Sequence, residues 1–261
     1  MPAKKYKPVR QVRGDNPRLL DDAPFDIGRS LPFALWRAAH LRHGVLVTLA
    51  LAVGAALAGR SGREIALVAV TVLVGQVLLG WHNDLVDAKR DRLHGRANKP
   101  VAEGYLDRST LTFAIACGVL LVIPLSVANG LAAGIAHLAI LTIAMLTNVG
   151  VLRRTRFSFV PWALTFGAFP TFLSWGGWGR DDAGDPATVA ITITAGLIGI
   201  GVHLIRSLPG LVDDNKDGSS SLPLTIALKT GAPKLMLISI VWLVMSGALL
   251  IVAALTSGLA R

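Results

Sequence analysis

Asn83, Asp84, Asp87 and Asp91 stand directly behind the apolar run EIALVAVTVLVGQVLLGWH. On a helix continuing out of that run, the three aspartates share one face. Like charges so placed repel unless something positive lies between them, and a hard divalent cation meets that need. Mg2+ takes oxygen ligands and commonly binds through one or two carboxylates together with substrate phosphates. The next segment, RLHGRANKP, offers Arg96 and Lys99, groups suited to diphosphate oxygens. A solvated junction, neutralised locally by Lys89, Arg90 and Arg92, is the competing account of the same residues.

A second acidic stretch, RSLPGLVDDNKDGSSS, runs from Arg206 to Ser221. Asp213, Asp214 and Asp217 supply further carboxylates, with Lys216 beside them. Pro209, Gly210 and Gly218 predict an interrupted helix there. If both clusters face one compartment, they can clamp a single diphosphate through metal ions. A solvated loop is the alternative for this cluster taken alone.

The elements that must position these groups are set by composition. Of 261 residues, 52% are hydrophobic and 16% charged, against about 25% charged in a typical soluble domain. Mean hydropathy is +0.57. The apolar residues gather in seven runs, near 33–58, 63–82, 110–128, 131–149, 158–178, 187–206 and 234–257. Such lengths match the roughly 20 helical residues that cross a bilayer. The expectation is an all-α, polytopic membrane helix bundle with about seven spans. Residues 1–30 form a polar tail with no cleavable signal peptide, and residues 31–261 form one transmembrane domain. Acidic loops fall near 83–108 and 207–233, and the short apolar piece at 222–228 suits an interfacial turn of helix.

Lys and Arg concentrate in the tail and in every second gap, whereas GRDDAGDP at 179–186 is net acidic. The positive-inside rule then places the N-terminus and both acidic loops in the cytoplasm. Ionised groups at a membrane interface are costly and usually functional, which favours a binding role for the first cluster. The net charge of +10 follows this topology, and no nucleic-acid motif accompanies it. The single cysteine, Cys117, lies within an apolar run and excludes an intramolecular disulfide or a cysteine zinc cluster.

The stretch NDLVDAKRDRLHGRANKPVAEG resembles the first signature of the UbiA family of intramembrane prenyltransferases. The resemblance rests on Asn83, Asp84, Asp87, Asp91, Gly95, Arg96, Lys99, Pro100 and Gly104, and extends from the first span to about residue 231. Actinobacterial members of unassigned substrate look closest. The family's second signature, two aspartates four apart, would fall in LPGLVDDNKDG. Anchoring on Gly218 assigns its second aspartate to Asp214 and puts Gly210 at the first; the alternative register uses Asp213 and Asp217. Ser219–Ser221 stand where a basic residue is common. Members have nine spans, so two further helices are expected after Arg261, or else a reduced architecture.

The resemblance implies transfer of a prenyl group from an isoprenyl diphosphate to an aromatic or lipid acceptor within membrane lipid. It implies Mg2+ held by Asp84, Asp87, Asp91, Asp213, Asp214 and Asp217. Asn83, Asp84, Asp87, Asp91 and Asp214 would form the catalytic set, with Arg96, Lys99, Asp213, Lys216 and Asp217 binding the diphosphate and its metal. His82, His94 and His203 are possible acceptor-activating bases, each with local hydrogen bonding as its alternative. His137 is expected to hydrogen-bond across helices, and Trp162, Trp175, Trp178 and Trp242 to anchor at the interfaces. Arg37 and Arg42 can reach the cytoplasmic interface by snorkelling, and Arg37 can also face substrate phosphate. Two other readings stay open: phosphoribosyl transfer onto a polyprenyl phosphate, and a transporter or scaffold that keeps the fold without the chemistry.

Overall fold

The computed structural model describes residues 30–177 and 185–256. The expectations for the N-terminal tail, for Trp178 and for most of GRDDAGDP lie outside these residues. Helices α1 (Leu31–Ala38) and α2 (Leu41–Leu57) lie in the first apolar run, and α3 (Gly62–Leu93) and α5 (Arg108–Ala128) hold the second and third, with α4 (Pro100–Glu103) between them. Then follow α6 (Leu131–Val149), α7 (Val160–Ser174) and α8 (Val189–Ser207). A 3-10 turn, Leu208–Gly210, leads into α9 (Leu211–Lys216), α10 (Leu222–Thr230) and α11 (Ala232–Thr256).

All seven apolar runs are helical, but they are not equal. Among the described residues five helices are long and apolar enough to cross a bilayer, and six if the pair α1 and α2, bent by 60°, counts as one broken span. With 15 residues, α7 falls short of the roughly 17 needed for a perpendicular crossing. The predicted break near Pro209 is present, and the 222–228 piece is the short helix α10.

Helix α3 positions the first cluster by its length. It starts at a capping box, in which Ser61 Oγ accepts from Glu64 N–H and Glu64 Oε2 accepts from Ser61 N–H at 2.9 Å. Its 32 residues reach about 48 Å, well beyond about 30 Å of hydrocarbon. The surplus carries Asp84, Asp87 and Asp91 out of the apolar layer while they stay on a rigid helix.

The bend between α1 and α2 sits against this segment. A Cβ at Gly80 would lie 2.3 Å from the Ala39 carbonyl oxygen, so only glycine permits the approach. Trp81 Nε1 adds a 2.8 Å bond to the Leu35 carbonyl. One turn beyond Gly80, the approach brings His40, in the left-handed region at φ 50°, to Asp84. Gly80→Ala is expected to cost about 1–3 kcal/mol, read as a lower thermal midpoint. Gly247→Ala, where a Cβ meets nothing within 4 Å, should leave the midpoint unchanged.

Among the remaining helices, α7 packs on α8, α8 on α11, and α6 on both α5 and α7. Small residues allow the closeness, as lipid-embedded bundles require: a Cβ at Gly199 would come within 2.3 Å of the Trp162 carbonyl oxygen.

Candidate active site

Three segments converge beyond the apolar layer: the end of α3 with the hairpin through residue 104, the α6–α7 loop, and the segment from α8 to α10. Ser158 ties the last two, bonding His203 Nε2 at 2.9 Å and accepting the Leu222 N–H at 3.1 Å. Ser220 donates its N–H and its hydroxyl to the Arg154 carbonyl, each at 2.9 Å.

The hairpin after α3 turns at Gly95 (φ 62°) and Asn98 (φ 63°) and folds Lys99 back over the helix. Asp84 and Asp91 are 1% exposed. The Lys99 ammonium lies 3.3 Å from Asp84 Oδ1 and 3.2 Å from Asp91 Oδ2. His40 Nε2 completes the group, 3.1 Å from the ammonium and 3.6 Å from Asp84. The two carboxylate oxygens are buried and lack hydrogen-bond geometry to any partner among the described residues. Their lone pairs meet one tethered cation by charge alone. A pair of hard oxygens in this state suits a cation.

Asp87 turns elsewhere. Arg153 of the α6–α7 loop grips both its oxygens, at 2.8 and 3.0 Å. The second cluster is tied to the first by a basic bridge. Arg90 Nη2 donates to Asp214 at 2.6 Å and its Nε to Asp217. Arg96 reaches Asp213 at 2.8 Å, and His94 touches Asp213 at 3.3 Å and Asp217 at 2.9 Å.

The Arg90 hydrogen bond, assisted by His94 and opposed by partial desolvation, holds the Asp217 carboxyl below the usual carboxylate range. A depressed folded pKa means that this contribution is complete above the ordinary carboxylate value of about 4 and fades as pH falls through the folded value. The thermal midpoint should therefore drop as pH falls below about 4, and Asp217→Asn should make that drop shallower.

A cavity of about 470 Å³ opens between α3, the α6–α7 loop and α9. Asp87, Asp214 and Asp217 line it, and so do Lys89, Arg90, Arg153 and Arg154, with Asn148 alongside. Carboxylates for a metal and cations for phosphate oxygens thus face one space. Among the described residues no three Asp, Glu, His or Cys side chains group as a ready-made metal cage.

The sequence-predicted set is therefore divided. Asp87, Asp214 and Asp217 share the cavity; Asp84, Asp91 and Lys99 form a separate buried group beside it; Asp213 and Arg96 bridge the clusters. Asn83 is half-buried on α3, and Lys216 is exposed and makes no ion pair among the described residues. Arg90, Arg153 and His40 were not in that set. Their signal was weak, since Arg90 and Arg153 also satisfy the topology rule. His94 is engaged with the second cluster, and His82 lies 3.4 Å from Asn148. His137 bonds Ser126 across α5 and α6 at 2.8 Å, as expected. Trp162 stacks on His203 and Phe166.

Fold and site together define a polytopic helical membrane protein with a cavity lined by carboxylates and cations. The UbiA prenyltransferase family matches residues 45–260, and the chain belongs to that family. Among solved structures, a UbiA homolog from Archaeoglobus fulgidus bound to GPP and Mg2+ is similar, with a TM-score of 0.64 and 16% identity over 85% of each chain. A structure of digeranylgeranylglyceryl phosphate synthase is similar at a TM-score of 0.58 and 17% identity, covering 83% of this chain and 75% of that one. Comparison with curated proteins finds no match.

Proposed function

We propose that this chain transfers a prenyl group from an isoprenyl diphosphate to an aromatic or lipid acceptor, with Mg2+ as cofactor. The carrying observation is the cavity in which Asp87 of the first signature and Asp214 and Asp217 of the second face Lys89, Arg90, Arg153 and Arg154. Family membership supports this reading, as does the likeness to a homolog bound to GPP and Mg2+.

Cleaving the carbon–oxygen bond leaves negative charge on diphosphate and positive charge on an allylic carbon. Mg2+, when bound, supplies charge neutralisation of the leaving group; Asp87, Asp214 and Asp217 would hold it, with Asp84 and Asp91 as the neighbouring pair. Arg153, Arg154 and Lys89 bind phosphate oxygens by charge-assisted hydrogen bonds. The prenyl tail lies among the helices, in the lipid layer from which it comes. The reading extends to an actinobacterial-type member of unassigned substrate.

The reading carries a topology. Residues 31–261 form one transmembrane domain of seven spans behind a tail of residues 1–30, and α7 crosses as a short span. The N-terminus and the acidic loops near 83–108 and 207–233 are cytoplasmic.

The purified full chain in lipid nanodiscs should release diphosphate from geranyl diphosphate in the presence of an acceptor and Mg2+. Release should stop with EDTA and return with added Mg2+. Metal-independent release would sink the reading, and so would intact geranyl diphosphate after incubation with an acceptor panel of phenols, aromatic acids and lipid alcohols.

A further inference from the structure

Each of the six aspartates in the two signatures faces a cation of the chain. Arg206 has no such match. It stands in the last turn of α8 and makes no ion pair or side-chain hydrogen bond among the described residues. Its guanidinium lies over the Trp162 ring, 5.8 Å from the centroid. The ring is held in place by His203, stacked at 5.6 Å, and by Phe166 at 6.3 Å. His203 is itself fixed by Ser158. His43 of α2 comes close enough to Arg206 for their charges to interact.

Gly199, His203 and Arg206 follow one face of α8, the face that meets Trp162. His43 lies one turn along α2 from His40, the partner of Asp84. Arg206 therefore stands exposed at the end of α8, linked through His43 and α2 to the side of the acidic site, yet it is absent from the lining of the 470 Å³ cavity. It also keeps open surface, which an incoming ligand requires. A guanidinium with open surface and no carboxylate partner among the described residues is free to meet a ligand, and its planar fork suits a carboxylate or a phosphate.

We propose that Arg206, carried on Trp162 and flanked by His43, binds an anionic group of the acceptor, a carboxylate or a phosphate monoester. The proposal rests on the prenyl-transfer reading, because it assigns the diphosphate of the donor to the cavity and leaves Arg206 for the second substrate. The bland competitor is a helix-end arginine that only reaches for the interface.

The test uses the full chain in nanodiscs. Binding is measured for benzoate and dodecyl phosphate, for their neutral counterparts methyl benzoate and dodecanol, and for geranyl thiolodiphosphate with Mg2+ as the donor probe. At least one anionic probe should bind the native chain more tightly than its neutral counterpart, and which one binds distinguishes carboxylate from phosphate. Arg206→Gln should weaken that probe by about tenfold or more and leave the donor probe within about twofold. Arg206→Lys should fall between, since an ammonium lacks the fork; it carries the test should the glutamine variant not fold. The proposal is overturned if neither anionic probe is preferred by the native chain. It is equally overturned if Arg206→Gln spares the anion, or weakens donor and anion alike. A native chain that binds the anion through Arg206 but not the donor probe would instead remove the prenyl-transfer reading.

Discussion

Asp87→Asn is expected to lower Mg2+-dependent diphosphate release by about a thousandfold or more while the thermal midpoint moves little. Asp87 is the only aspartate of the first signature that lines the cavity, and Arg153 holds both its oxygens. Asparagine keeps the volume and removes the charge. The Arg153 side chain is 33% exposed, so water can solvate it once its partner is neutral, and the fold survives. Asp84→Asn and Asp91→Asn should behave differently. Both residues are buried against the Lys99 ammonium, and asparagine at either position replaces a charge contact with a buried amide whose N–H groups find no acceptor in that ammonium. These variants should lose stability along with rate. If the Asp87→Asn enzyme turns over within about tenfold of the native one, Asp87 has no direct part in the chemistry.

The second large effect concerns the register of the second signature. Asp214→Asn should reduce turnover by about a hundredfold or more, because Asp214 faces the cavity from α9 while also meeting Arg90. Asp213→Asn should reduce it by less than about fivefold, the scale of a partly exposed ion pair. Asp213 points to Arg96 and His94 and is not part of the cavity lining. Steady-state rates of the two purified variants, measured beside each other, check this directly. Equal losses would mean that the two aspartates exchange roles when substrate binds, and the assignment drawn from the cavity would fall.

Why Asp213 and Asp214 part company could not be read from the chain. Adjacent residues on a helix differ by about 100° in direction, but the sequence does not say where the six-residue helix α9 begins or how it is rolled. The roll follows from Arg90 and Arg96, which reach across from α3 and its hairpin. By contrast, the exit of Asp84, Asp87 and Asp91 on one continuous helix was legible, because no glycine or proline interrupts residues 81–93. The break at His40 was not. No proline or glycine stands at residues 37–43 of the run 33–58, and the left-handed His40 directly follows Ala39, whose backbone packs against Gly80. The shortness of α7 has a visible cause only afterwards: Gly176 and Gly177 follow Trp175, and the Gly177 N–H donates to the Asn129 carbonyl rather than to a further helical turn. The cationic partners Arg90 and Arg153 were hidden in plain view, since every basic residue in a cytoplasmic gap already had an explanation.

The lysine between Asp84 and Asp91 bears on the order of events at this site. The chain brings its own counter-ion, so the acidic pair is partly neutralised before any ligand arrives. Binding near that pair is then an exchange of cations rather than the filling of a repulsive hole. An ammonium displaced from that pair would need an anion to receive it, and the donor's diphosphate would supply one. Affinity for the divalent ion and affinity for the donor are thereby coupled, each raised by the other in equal measure. A resting enzyme with no donor would hold metal loosely, and the lipid substrate would set the moment at which the site becomes competent.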